Sequence, residues 1–380
     1  MSVVNERVGR EIFLYLCLAL FAVGLVYAWR SLRRRQLPRS AQVCLLLVGG
    51  IFAGSIYYLR EIPEEALHLV QYALLSLLFY RALTHRVRDY AIFPIAALGT
   101  AMVGMLDEYI QWVVPTRYYD LADIRINFFA GVLAQVGIIT GLRPRLVANR
   151  PSGASYRRLA HWLVATLVVL MVSFVNTPAR VSWYANEIPG LEFLLGGNSM
   201  MAQYGYLHET PSGGLFRSRF DRDMLVELDR SRGEEVAPIL DDLFRQMNYR
   251  QFLSRYSILR DPYVHEVGVH LFGRQYHEDR IADSPDQPAR HAAIAYHEDD
   301  ILQTYFPTAL SQSRHAWDER HRELIRDQAD FSGGYTSKVS QALITRVSEA
   351  QVWWGFLLSV LLLLAGGHWL AARDHVRPTS

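Results

Sequence analysis

Ionisable side chains sit at the edges of three apolar stretches, at spacings that could assemble one site. His68 follows Glu61, Glu64 and Glu65 and precedes Tyr72. Residues 65, 68 and 72 would share one face of a helix. Asp107, Glu108 and Gln111 close a second stretch, Arg117 lies in the turn after it, and Asp123, Asn127 and Gly131 recur every four residues in a third. Polar groups at bilayer depth are costly and mark functional sites or interhelical ties. Carboxylates beside an imidazole can exchange protons near neutral pH, so His68 and Glu108 are the candidate acid/base residues. Arg117 can bridge carboxylates or meet a phosphate with two parallel hydrogen bonds. The same groups could instead rest in headgroup water, with Asp123 and Asn127 acting as interhelical glue.

The elements that must hold these groups are of membrane length. The chain has 380 residues, 51% hydrophobic and 20% charged, with the charge unevenly spread. Apolar segments at 12–29, 41–59, 62–83, 90–106, 121–142, 160–177 and 352–372 each approach the ~20 residues that cross ~30 Å of hydrocarbon. The first does not read as a cleaved signal peptide, because Arg30, Arg33, Arg34 and Arg35 follow it and no small-residue cleavage site does. This pattern excludes a simple soluble enzyme, and a net charge of +2 lacks the basic surplus of a nucleic-acid binder. The basic residues are almost all arginine, with Lys338 the single lysine, which reads as a compositional bias. The two cysteines, Cys17 and Cys44, lie in apolar runs, so the polar region has neither a disulfide nor a cysteine zinc site.

Arginine placement sets the expected orientation. Arg30, Arg33, Arg34, Arg35 and Arg39 follow the first segment; Arg81, Arg86 and Arg88 follow the third; Arg143, Arg145, Arg150, Arg157 and Arg158 follow the fifth; Arg373 and Arg377 follow the last. The alternate short loops hold only Arg60 and Arg117. By the positive-inside rule the N-terminus lies outside, the C-terminus in the cytoplasm, and residues 178–350 outside. The expected fold is a polytopic α-helical membrane protein of about seven spans, with an extracytoplasmic α+β domain between spans six and seven. Its parts are a five-span region 1–159, a sixth span 160–177, the domain 178–350, and a seventh span with a short tail, 351–380. All the polar groups above then reach the outer face of the membrane together.

These residues carry a resemblance. His68-x3-Tyr72-x2-Leu75, then Asp107-Glu108-x2-Gln111, then Pro115-x-Arg117-x5-Asp123-x3-Asn127-x3-Gly131 resembles the VanZ-like family of integral membrane proteins, over about residues 40–142. The resemblance implies a role at the bacterial cell envelope, in the cytoplasmic membrane. It implies no particular reaction, and the chain departs from the family pattern at Glu65 and in continuing ~240 residues beyond the fifth span. The expected ligand-binding residues are Glu65, His68, Tyr72, Asp107, Glu108, Gln111, Arg117, Asp123 and Asn127. The expected partner is a membrane lipid or lipid-linked envelope precursor, with envelope-biogenesis proteins as possible further partners.

The polar insert reads as follows. Residues 221–232 and 234–257 have helical spacing, with Leu225, Leu228, Ile239, Leu240, Leu243 and Met247 as a buried stripe. Residues 263–273 alternate and read as a strand, 291–297 as a second strand, 315–329 as an amphipathic helix, and 336–350 as helix entering the last span. His265 and His270 are five apart, not the four a helical zinc-protease motif needs. A looser metal site could draw on Glu266, His270, His277 and Glu278, or on His297, Glu298 and Asp299. Phe216-Arg217-Ser218-Arg219 reads as a solvated turn, and Gly213-Gly214 and Gly333-Gly334 as turns without a phosphate-loop context. No cofactor is expected. A membrane-anchored metal-dependent hydrolase and a non-enzymatic scaffold for envelope-biogenesis proteins are the alternatives to a lipid-binding function.

Overall fold

The computed structural model describes residues 11–115, 117–144, 147, 150–196, 203–283, 287–338 and 343–376. The N-terminal residues expected outside, Arg145 and Arg377 fall outside the described residues. The chain divides into two compact units, residues 1–173 with 353–380, and residues 174–352.

The first unit is helical: α1 (Glu11–Arg34), α2 (Arg39–Tyr58), α3 (Pro63–Leu83), α4 (Ile92–Trp112), α5 (Leu121–Val136), α6 (Gly153–Val175) and α14 (Glu349–Val376), the last beginning in the second unit. Pro63 occupies the first turn of α3, where its missing N–H leaves no bond unmade. Asp120 caps α5 by accepting from Ala122 N at 2.6 Å. α5 continues as a π-helical turn, Gly137–Leu142, and Arg35 donates to the terminal carbonyls of Leu142 (2.8 Å) and Arg143 (3.0 Å). Five helical stretches, Arg39–Tyr58, Glu65–Leu83, Leu121–Leu142, Gly153–Val175 and Glu349–Arg373, are long and apolar enough to cross a membrane. That makes the chain a multi-pass membrane protein by length and composition. The remaining two expected spans fall on α1 and α4, of 24 and 21 residues.

α3, α4 and α5 pack on one another. Ser76 donates to the Gly131 carbonyl (3.0 Å) and Gln135 donates to Ser76 O (2.9 Å), tying α3 to α5 by hydrogen bonds out of water's reach. Gly131 allows the close approach expected of it: a Cβ there would lie 3.1 Å from Thr100 Cγ2.

The second unit holds α7 (Pro178–Glu187), the antiparallel hairpin β1 (Tyr206–Glu209) and β2 (Leu215–Ser218), then α8 (Arg222–Leu243), α9 (Tyr249–Arg255), α10 (Pro262–Asp283), α11 (Pro288–Tyr305), α12 (Pro307–Gln312) and α13 (Glu319–Gln328). The expected α+β balance is corrected to a mostly helical unit with one hairpin. Residues 263–273 and 291–297 are helix, not strand. In α10 residues 263, 264, 266–271 and 274 are all buried, so no polar stripe reveals the helical period. In α11, Ala292, Ala293 and Ala295 favour helix, and Pro288 starts it. The expected turn at 216–219 is strand β2, with Phe216 and Ser218 fully buried. Among the described residues of 336–348 there is no helix; α14 begins only at Glu349. The core joins Phe216, Leu225, Leu240, Leu243, Phe252, Val267 and Ile301, with Leu228 and Ile239 packed against it, which includes most of the expected stripe. Gly213 makes the hairpin turn at φ +80°, as its residue type suggests.

Candidate functional site

Three helices of the first unit deliver polar groups to one place. From α3, the Tyr72 hydroxyl donates to Asp107 Oδ2 of α4 at 3.3 Å, and the His68 ring stacks on Tyr72 with centroids 6.0 Å apart. From α4, Gln111 Nε2 donates to Glu108 Oε1 (2.9 Å) and Asp107 Oδ2 (3.3 Å), while its carbonyl oxygen accepts from Arg117 Nε (3.1 Å). Glu108 is fully buried, and its second oxygen accepts from Asp120 N at 3.0 Å. The α4–α5 turn is therefore strapped to the end of α4 by a buried carboxylate. From α5 come Asp123 and Asn127. His68, Arg117, Asp107 and Asp120 all lie close enough to Asp123 to interact with its charge. Asn127 is fully buried beside Tyr72, and a Cβ on Gly104 would come within 3.0 Å of its own.

The nest is not closed. His68 Nδ1, Asp123 Oδ1 and both polar atoms of the Asn127 amide are buried without a hydrogen-bond partner. A buried polar atom left unpaired costs roughly 1–3 kcal/mol, so such atoms are ordinarily paired to protein, water or ligand. Two of these atoms belong to Asn127, one to Asp123 a turn earlier on α5, and one to His68 of α3.

The structure thus brings together His68, Tyr72, Asp107, Glu108, Gln111, Arg117, Asp123 and Asn127. Glu65 is half-buried one turn before His68 on α3. Two roles shift. Glu108 has both oxygens committed to Gln111 and Asp120, which ties the turn to α4, and Asp123 lies within electrostatic range of His68. Arg117 is exposed, with its guanidinium on Gln111. Asp120 was not anticipated, although an aspartate directly before an apolar helix is a recognisable cap. Nor was Ser173 of α6, which joins Tyr109 (2.6 Å) and Tyr119 (2.8 Å) and so braces the same turn.

The looser metal sites considered for the second unit are not assembled. Glu266 accepts from Ser218 Oγ (2.6 Å) and Arg219 N (2.9 Å). His270 Nδ1 meets Glu298 Oε2 at 2.6 Å, and His277 Nδ1 meets His291 Nδ1 at 2.8 Å. Glu278 pairs with His321, Asp299 with Arg274, and His297 Nδ1 with Ser212 Oγ. Among the described residues no group of three or more His, Cys, Asp or Glu side chains could hold a metal ion. Burial pushes the Glu298 carboxyl up, but the His270 imidazole and hydrogen bonds from Ser337 and Tyr335 outweigh it and hold the group below its usual range. These groups bind the unit together: α10, α11 and the end of the hairpin are tied by the buried pairs Arg219–Glu266, His270–Glu298 and Arg274–Asp299.

Comparison with known proteins gives no match, whether to family profiles, to curated proteins or to solved structures.

Proposed function

We propose that the chain is a seven-span, VanZ-like protein of the bacterial cytoplasmic membrane, whose α3–α4–α5 nest binds the headgroup of a membrane lipid or lipid-linked envelope precursor. The observation that carries this reading is the Asn127 amide, fully buried with neither polar atom paired, beside the unpaired His68 Nδ1 and Asp123 Oδ1. Asp107, Glu108, Asp120 and Asp123 outnumber Arg117 and His68, so the interior favours ligand hydroxyls or an ammonium group. An anionic phosphate fits at Arg117, which is exposed and can form paired hydrogen bonds. A lipid phosphate bearing a sugar or amine has both parts. The arginine bias of the loops supports an orientation with the nest at the outer leaflet and residues 178–350 outside. Trp353 and Trp354, exposed at the start of α14, suit an interfacial belt.

The test is native mass spectrometry of the full chain extracted in lipid nanodiscs. The expected result is a retained lipid on the wild type that Arg117→Ala and Asp123→Asn lose. In a cysteine-free background, Glu227→Cys should react with a membrane-impermeant maleimide in spheroplasts. Equal lipid retention by all variants overturns the binding reading; protection of residue 227 overturns the topology.

A further inference from the structure

The second unit contains a cavity of about 620 Å³ between α10, α11 and the segment 330–338. Its wall includes the His277–His291 pair, whose Nδ1 atoms are 2.8 Å apart, together with His297, which stacks flat on Tyr335 at 4.8 Å. Burial, then the neighbouring His291, hold the His277 imidazole down to about 4, so at neutral pH the pair presents neutral donor and acceptor nitrogens. Arg290 and Lys338 also line the cavity, and Arg280 lies within electrostatic range of both imidazoles.

The pairing of its charged groups bears on what this space can hold. Of the two carboxylates among its described lining residues, Glu298 is committed to His270, Tyr335 and Ser337, and Asp330 keeps its charge in its own turn, where it accepts from Ser332 N at 2.9 Å. Among the described residues neither carboxylate pairs with the lining cations. Arg290 donates to the neutral Gln287 side chain, and among the described residues neither it nor Lys338 forms an ion pair. Lys338 is the one lysine among the 39 basic residues of the chain. A lysine presents a compact ammonium with rotatable donors where arginine offers a planar fork. Around it Ser332, Gly333, Gly334 and Thr336 give small, polar, open surface; a Cβ at either glycine would meet nothing within 4 Å. The volume matches a small-molecule site rather than a single ion.

We infer that this cavity binds a small polar oxyanion of sugar-phosphate or sugar-acid size, its charge held between Arg290 and Lys338 and its body against the imidazole pair. The site is in a different unit from the membrane nest and does not depend on the reading given for it.

Isothermal titration of the full chain in nanodiscs of zwitterionic lipid, with glucose 1-phosphate and with glucuronate as separate probes, tests the inference. Saturable binding of one or both is expected, the preferred probe separating phosphate from carboxylate. Lys338→Gln and Arg290→Gln should each weaken it roughly tenfold, the size of one charge-assisted hydrogen bond. Arg230→Gln, on an exposed face of α8, should leave it unchanged. Absence of saturable binding by either probe overturns the inference. So does binding that Lys338→Gln and Arg290→Gln leave intact or that Arg230→Gln weakens equally.

Discussion

Replacing Asn127 with leucine separates a ligand-binding nest from an imperfect helix contact. The two side chains are similar in size, so the space beside Tyr72 and Gly104 stays filled. If nothing occupies the nest, the wild-type amide is an unsatisfied buried group, and its removal should stabilise the bundle by roughly 1–3 kcal/mol. If a headgroup occupies it, the variant loses two hydrogen bonds worth about 0.5–1.5 kcal/mol each. The sum, about 1–3 kcal/mol, corresponds to roughly a 5- to 150-fold weaker complex. Our expectation is the second outcome: lipid retention falls by that factor in native mass spectrometry, while hydrogen exchange of α4 and α5 in delipidated protein is unchanged or slower. A variant that is more stable in the lipid-bound state and keeps its full lipid complement would refute the reasoning, because the amide would then have been a cost without a use.

Two further predictions concern the second unit. Burial depresses the His265 and His277 imidazoles to about 4, from an ordinary 6.5. Between those values the unfolded chain binds more protons, so stability present above about 6.5 is lost as pH falls toward 4. At pH ~5 the loss is about 2 kcal/mol for His265 and smaller for the half-buried, solvent-screened His277, and exchange protection of α10 in the intact protein should drop more than tenfold, after correction for intrinsic rates. No change between pH ~7 and ~5 would contradict the burial of the His265 ring. Gly268→Ala would bring a Cβ to 2.1 Å from the fully buried Phe252 ring. Overpacking costs ~1–3 kcal/mol or more against ~1 kcal/mol gained in helix propensity, so α9 and α10 should exchange faster. Gly273→Ala, with no neighbour closer than 3.8 Å, should not destabilise.

The second unit was the less legible half, and α10 explains why. Sequence periodicity reports burial, not backbone conformation. Tyr263, Val264, Glu266, Val267, His270 and Arg274 are all buried, so the polar and apolar positions that normally expose a 3.6-residue period are mixed. Glu266 and Arg274 are inside only because Ser218, Arg219 and Asp299 neutralise them there. Those partners lie 25 to 48 residues away, a separation that no local pattern encodes. The hairpin is hidden for a related reason: its strands have four residues each, and β1 buries only His208.

The membrane nest was more legible because hydrocarbon makes polarity informative. In a soluble core a lone aspartate carries little news; at the end of a membrane-length helix it needs a partner, and the partner must come from another helix at the same depth. That logic groups residues of three segments from the sequence alone. It could not assign their roles, which depend on which lone pair each donor reaches. Glu108 and Asp123 are both acids at helix ends, yet one has both oxygens bound to Gln111 and the Asp120 backbone and the other keeps a buried oxygen free. Only the second can receive a ligand's proton donor without first breaking the turn. Substituting Glu108 should therefore disturb the fold of the α4–α5 turn along with binding, whereas Asp123→Asn should disturb binding alone.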